Sequence, residues 1–226
     1  MRNAEQFSRQ QDLVPPAKIQ QLQVTIIGVG SLGSATANAL AMMGVENFTV
    51  YDDDVVETHN LAVQFFKHTQ VCDPPLKKVV ALQKFMQDMH GITINPVSSK
   101  FAGENLSGIV VSAVDNMDAR KVIWSSVKLN PAIQLYIDTR ATGMYADLFP
   151  INPVNLKAIR QYEALHIFPQ EEGIQGPCTQ KMTTFIAWGV GSHVGSLLTQ
   201  YLNGKDLPFK LTLDMEHNLT SIELLE

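Results

Sequence analysis

From Val24 onward, short unbroken apolar runs alternate with stretches in which apolar residues recur every three or four positions. Val24-Thr25-Ile26-Ile27 is a run of the first kind and predicts a strand; it leads through Gly28-Val29-Gly30 into Ser34 to Met43, rich in Ala, Leu and Met, a helix that Gly44 stops. Asn47 to Tyr51 predicts a second strand. Beyond a polar loop, Pro75 opens a helix whose apolar positions Val79, Leu82, Phe85, Met86 and Met89 fall at helical spacing, with Gly91 past its end. Ile92 to Val97 and Gly108 to Val114 read as strands three and four, the latter fully buried in character, followed by a helix through Leu129 that Pro131 terminates. Strictly alternating strands and helices predict a parallel sheet wound on both faces.

The two ends depart from this rhythm. Pro15 and Pro16 pre-set the first turn of a short helix through Leu22, because a missing amide hydrogen costs nothing there. After residue 130, Ile133 to Asp138 and Gly143 to Phe149 follow one another without an intervening helix, so the sheet is expected to turn antiparallel. Asn152 to Pro177 reads as an irregular stretch. A glycine-bearing helix to Leu202 follows, and Phe209 to Met215 with Leu219 to Leu224 predict a closing hairpin around Glu216-His217-Asn218. The expected fold is α/β, Rossmann-like and mainly parallel, with an antiparallel C-terminal extension. It forms a single domain over 1–226, divided into a nucleotide-binding half, 1–130, and a partner-binding half, 131–226.

Composition narrows the function. With 45% hydrophobic and 17% charged residues the chain encloses a large core, and a net charge of −5 without any Lys/Arg run excludes a nucleic-acid or anionic-membrane surface. The start, MRNAEQFSRQQ, lacks the apolar core of a signal peptide, and the apolar stretch Met182 to Leu202 is interrupted by His193, Gln200 and hydroxyl side chains. Cys72 and Cys178 show no pairing pattern and there is no CxxC, so a reducing, cytoplasmic setting is expected, without a structural zinc. The six histidines have no HxH or HxxxH spacing for a metal. Gly191-x-x-x-Gly195, beside His193, reads as close packing of a helix in a water-soluble protein rather than as a membrane dimer motif.

Gly28-Val29-Gly30-Ser31-Leu32-Gly33 is GxGxxG placed between a strand and a helix. Gly28 permits the tight turn, Gly30 lets a phosphate approach the backbone, and Gly33 lets helix and strand pack closely, while the helix N-terminus offers amide donors. Asp52 stands 19 residues after Gly33, at the end of the second strand, where a carboxylate accepts from ribose hydroxyls. Gly28, Gly30, Ser31, Leu32, Gly33 and Asp52 are therefore candidate nucleotide contacts. These residues alone do not separate NAD from ATP.

Further along, the chain resembles the ThiF/MoeB/HesA group of adenylating enzymes related to the ubiquitin-activating enzyme. The likeness is carried by Phe7-Ser8-Arg9-Gln10; Ile26 to Ser34; Asp52-x-Asp54-x-Val56 with Asn60-Leu61-Ala62-Val63-Gln64; a Lys opening the next helix; and Asp115-Asn116 with Arg120. They follow the family's order over roughly the first 120 residues, and the second half matches more loosely. The resemblance implies ATP and Mg2+ as reactants, with Lys77 or Lys78 at the phosphates (the spacing to Ala81 favours Lys77), Asp115 as catalytic carboxylate and metal ligand, and Asp54, Asn60, Gln64 and Asn116 as further nucleotide contacts. Arg9 is implied to reach the nucleotide of a partner subunit, hence a homodimer, with a heterodimer as the variant arrangement. One departure stands out: Val63 occupies a position where the family has Arg.

The implied reaction is adenylation of the C-terminal carboxylate of a ubiquitin-like or sulfur-carrier protein, with Gly-Gly as the usual ending, or of a peptide. Cys178, in Gly-Pro-Cys-Thr ahead of a helix, is the candidate nucleophile for a thioester or persulfide step, against the alternative of a small buried apolar group. Two other readings stay open: a non-catalytic partner subunit, which Val63 permits, and an NAD-dependent oxidoreductase, which needs neither the lysine nor Asp115-Asn116.

Overall fold

A computed structural model describes residues 2, 4–169 and 182–225. Its strands are β1 (Gln23–Ile27), β2 (Asn47–Tyr51), β3 (Asn95–Val97), β4 (Gly108–Ser112), β5 (Ile133–Thr142), β6 (Tyr145–Ile151), β7 (Lys210–Asp214) and β8 (Leu219–Glu223). They form one sheet in the order β3-β2-β1-β4-β5-β6-β7-β8. Pairings from β3 through β5 are parallel and those from β5 to β8 antiparallel, as the loss of an intervening helix after residue 130 implied.

The helices are α1 (Pro16–Ile19), α2 (Ser31–Met43), α3 (Lys78–His90), α4 (Met117–Val127), α5 (Leu156–His166) and α6 (Thr184–Leu202), with 3-10 turns at Ala4–Phe7, Thr58–Ala62 and His68–Gln70. Two apolar clusters show the layering. Val24 and Ile26 of β1 pack with Leu40 of α2, Leu82 of α3 and Val194 of α6, whereas Ile27 and Val110 pack with Ile123 and Trp124 of α4 and Ile159 and Tyr162 of α5. Period-two alternation along the strands thus delivers side chains to helices on both faces. Among the described residues, no helix is long and apolar enough to cross a membrane. Gly191 and Gly195 do pack closely: a Cβ on Gly191 would come within 2.9 Å of the Ala35 carbonyl oxygen, and one on Gly195 within 2.6 Å of the Met43 sulfur.

Several elements differ from the sequence pattern for local reasons. α3 begins at Lys78 rather than Pro75, because Leu76 and Lys77 stay extended against Val55 and Val56: the Val56 amide donates to the Leu76 carbonyl at 2.8 Å, and Lys77 pairs with Val55. β4 stops at Ser112; beyond it the Ala113 amide still bonds the Ile27 carbonyl at 2.8 Å, and the Val114 carbonyl accepts from Arg120 at 2.7 Å. α2 starts three residues early, directly after the glycine loop. α5 lies in the stretch expected to be irregular; the Asn155 side chain caps it, accepting from the amides of Lys157 and Ala158 at 3.1 and 3.3 Å.

Candidate functional site

Parallel strands feed helices only at their carboxyl ends, and β1 is where the winding reverses, with β2 on one side and β4 on the other. A crevice opens there by construction. The glycine loop lines it. Gly28 has φ +93°, and a Cβ on it would lie 2.5 Å from the Ala113 carbonyl oxygen, so only glycine lets the loop pass over the end of β4. A Cβ on Gly33 would lie 1.9 Å from the Gly28 carbonyl oxygen, whereas one on Gly30 would meet nothing within 4 Å. The backbone is open to a ligand at Gly30 alone of the three. No side chain caps α2, so the amides of its first turn point into the crevice with the positive end of the helix dipole.

Asp52 fixes this loop. One oxygen accepts the Val29 amide at 2.7 Å and the other the Asp54 amide at 2.9 Å. Burial pushes its carboxyl above the ordinary value, against the lowering by these two amides and by Lys78. Each oxygen keeps a second lone pair for a ligand hydroxyl.

Asp54 continues the chain of bonds, since its carboxylate accepts the Lys78 ammonium at 2.8 Å and its carbonyl accepts the Lys78 amide at 3.0 Å. Lys78 is 8% exposed and borders a cavity of about 150 Å³ with Asp54, Val55, Glu57, His59 and Asn60. That volume suits a polar fragment, not a whole nucleotide. Lys77 faces out and donates to the Asp53 carbonyl at 2.5 Å. The two lysines therefore divide: Lys78 is drawn into the site and Lys77 lies outside it.

Asn60 is buried, and its side-chain oxygen accepts the Glu57 amide at 2.8 Å, closing the turn Thr58–Ala62. The Gln64 side-chain oxygen is buried with no hydrogen-bond partner among the described residues. Val63, in place of the family's Arg, ends the same turn half-buried. Asp52, Asp53 and Asp54 bring carboxylate oxygens within 4.8 Å of one another. Asp115 is exposed just beyond β4 and accepts from the Asn116 side chain at 3.3 Å, while Asn116 caps α4 through the Ala119 amide at 2.8 Å.

Arg9 is exposed in a segment docked at the other end of α2, where Gln10 donates to the Met43 carbonyl at 3.0 Å and Phe7 is buried. At 1.5 Å per residue, α2 separates that end from the glycine loop by about 18 Å. Arg9 does not join its own chain's site. Cys178 lies outside the described residues. Sequence reasoning did not single out Asp138, the buried carboxylate of β5 that Ser112, Arg120, Arg140 and Tyr162 all approach. A lone Asp inside the apolar run Ile133 to Ile137 and beyond was the available signal.

A family model described as ThiF matches residues 5–223. The chain is 32% identical over 143 residues to the sulfur carrier protein ThiS adenylyltransferase of Escherichia coli, covering 60% of this chain and 55% of that protein. It is 28% identical over 141 residues to ubiquitin-like modifier-activating enzyme 5 of Branchiostoma floridae, covering 54% of this chain and 34% of that one. It thus spans about a third to about half of the length of these curated relatives. Among solved structures, E. coli MccB with ATP aligns with a TM-score of 0.75 at 14% identity, over 99% of this chain and 71% of that one. PaaA aligns at 0.72 and 18% identity, over 97% and 69%. At such identities the likeness shows the shared fold alone.

Proposed function

This chain belongs to the ThiF family, and from that premise we propose that it is an ATP-dependent adenylyltransferase that activates the C-terminal carboxylate of a ubiquitin-like or sulfur-carrier protein, or of a peptide. The observation that carries the reading is the continuous run of hydrogen bonds from the Val29 amide through Asp52 and Asp54 to the Lys78 ammonium. It couples the amide-lined turn to a buried cation at the place where a phosphate chain lies. A hydride-transfer enzyme needs the turn and Asp52 but has no use for that cation.

The residues fit the nucleotide. Gly30 leaves room over the backbone, the first-turn amides of α2 receive phosphate oxygens, and the unpartnered Gln64 oxygen is an acceptor for a ribose hydroxyl or an adenine amino group. Lys78 leaves Asp54 for the phosphates. Exposed carboxylates such as Asp115 are the hard oxygen donors that Mg2+ prefers, and when bound the ion neutralises charge on the departing pyrophosphate. The substrate carboxylate attacks the α-phosphorus, a bond forms from carboxylate oxygen to phosphorus, and the bond to the β-phosphate bridging oxygen breaks. A carboxylate is already a nucleophile, so no side chain has to take a proton; the protein's work is to hold two anions in line.

The remote position of Arg9 relative to its own glycine loop supports its use on a second subunit's nucleotide, and hence a homodimer. Cys178 is proposed as the acceptor of the activated acyl group in relay variants of the chemistry. The reading is tested by exchange of labelled pyrophosphate into ATP with candidate tails, Gly-Gly-ending carriers first, and by calorimetry with ATP and NADH. Binding of NADH without binding of ATP overturns it. A second reading rests on Val63: a chain lacking that guanidinium serves as the non-catalytic half of a heterodimer, binds its partner, and gives no exchange with any tail.

A further inference from the structure

Beneath the crevice lies a closed polar cluster that the chemistry above does not use. Asp138, fully buried in β5, accepts from the Ser112 hydroxyl at 2.9 Å, Arg140 Nε at 2.7 Å, the Tyr162 hydroxyl at 2.8 Å, and Arg120. Arg120, 4% exposed in the first turn of α4, also reaches the Ser112 hydroxyl at 3.1 Å and donates to the Val114 carbonyl at 2.7 Å. Two guanidinium groups share one carboxylate here. Sequestering such ions costs several kcal/mol each before pairing, and an apolar cluster of the same volume is often as stable. Stability alone does not account for this arrangement.

Its placement does. The Val114 carbonyl belongs to the peptide bond that leads into Asp115. One residue earlier, the Ala113 amide is held on the Ile27 carbonyl at 2.8 Å, and the Ala113 carbonyl sits against Gly28. Two residues later, Asn116 is fixed as the cap of α4. The bend carrying Asp115 is therefore pinned at Ala113, Val114 and Asn116, and the middle hold is a guanidinium whose planar fork spans Val114, Ser112 and Asp138 together. Burial, and then the neighbouring Arg140, push the Arg120 guanidinium below its ordinary value, while Tyr162, Tyr136 and the Asp115 carboxylate act in the opposite direction.

We propose that Arg120 is the positioning residue of the site, holding Asp115 in place over the glycine loop through the Val114 carbonyl, with Asp138 as the anchor that fixes Arg120. The proposal rests on the adenylation reading, in which Asp115 faces the phosphates and their metal.

The test compares wild-type chain, Arg120→Lys and Tyr162→Phe. Lysine keeps the charge but not the fork. Amide hydrogen exchange, measured without nucleotide, is expected to quicken at least about tenfold at residues 114–117 in Arg120→Lys while β1 and β2 keep their protection. By calorimetry, ATP affinity in EDTA stays within about twofold of wild type, while the gain in affinity brought by Mg2+ shrinks at least about fivefold. Tyr162→Phe removes a different donor from Asp138 and leaves the Arg120 to Val114 bond; its Tm falls, with exchange at 114–117 and the Mg2+ gain unchanged. Wild-type exchange and a full Mg2+ gain in Arg120→Lys overturn the proposal, as does an equal loss in Tyr162→Phe. A wild-type protein that binds no ATP overturns the adenylation reading itself and the proposal with it.

Discussion

Replacing Gly30 and Gly33 separately by Ala divides what the glycine loop does for folding from what it does for a ligand. At Gly33 the added Cβ would start 1.9 Å from the Gly28 carbonyl oxygen and 2.9 Å from its carbon, and real Cβ atoms essentially never come closer than 3.0 Å to such a neighbour. The helix must retreat by more than 1 Å, yet α6 blocks it from behind, packed so closely that a Cβ on Gly191 would lie 2.9 Å from the Ala35 carbonyl oxygen. Both obstacles are backbone, so the cost belongs near the top of the overpacking range, about 3 kcal/mol. Roughly 1 kcal/mol of that is offset by the better helix propensity of Ala. The net loss of about 2 kcal/mol lowers Tm by about 4–8 °C for a chain of this size. At Gly30 the Cβ meets open space and φ is −78°, so Tm should stay within about 3 °C of wild type. There the methyl would stand in the space over the loop amides that the proposed function gives to a phosphate oxygen. Losing one charge-assisted hydrogen bond, about 1.5–3 kcal/mol, weakens ATP binding by about 10- to 100-fold. Thermal melting and ATP calorimetry on both variants decide the matter. A folded Gly30→Ala protein with ATP affinity within about twofold of wild type would refute the placement of phosphate on this turn, and an unaltered Tm in Gly33→Ala would refute the clamping of α2.

The lysines are separable: Lys78→Ala should lower pyrophosphate exchange by about 10²–10³-fold and Lys77→Ala by less than about fivefold, and the reverse order would return the role to Lys77. Asp115→Ala should abolish exchange while Cys178→Ala leaves it intact; equal loss in both would mean that Cys178 is required for the adenylation site itself. His166 predicts an acid-side loss of stability. Burial first, then the cationic Arg140 and Lys210, push its imidazole from 6.5 down to about 4. Between those values the unfolded chain takes up a proton that the folded chain refuses, so stability falls as pH drops from about 6.5 toward 4. His166→Phe keeps the ring beside Phe149, 4.3 Å away between centroids, and removes the titration. Its urea midpoint should fall less between pH 7 and 5 than that of wild type, and equal falls would disprove the assignment.

What could be read from the chain follows from which forces act locally. Strands β1, β2 and β4, the glycine loop and Asp52 announce themselves through runs and turns confined to a few residues. The boundaries of α3 and β4 did not, because bonds to distant segments set them: Val55 and Val56 hold Leu76 and Lys77 extended, and Arg120 draws Val114 out of line. α5 carried a legible signal in the Asn155 cap followed by Ala158, Ile159 and Tyr162, but Pro153 and Pro169 framed it as a loop. Choosing between Lys77 and Lys78 was beyond spacing alone, since the helix boundary falls between them and only the seat of Asp54 breaks the tie.

The same distinction explains why the site splits into a legible rim and a hidden base. The glycines of the loop act through backbone geometry, which a short motif specifies. Asp138 instead acquires its role from Ser112, Arg120, Arg140 and Tyr162, brought from β4, α4, its own strand and α5, so no window of sequence contains the cluster. A buried charge inside an apolar strand is nonetheless an anomaly that demands partners. Arg120 is the partner that also touches the rim, through Val114. Substitutions in the base should therefore be felt at Asp115 only where they disturb Arg120, so that Tyr162→Phe lowers stability without reaching the rim, although both side chains bond the same carboxylate.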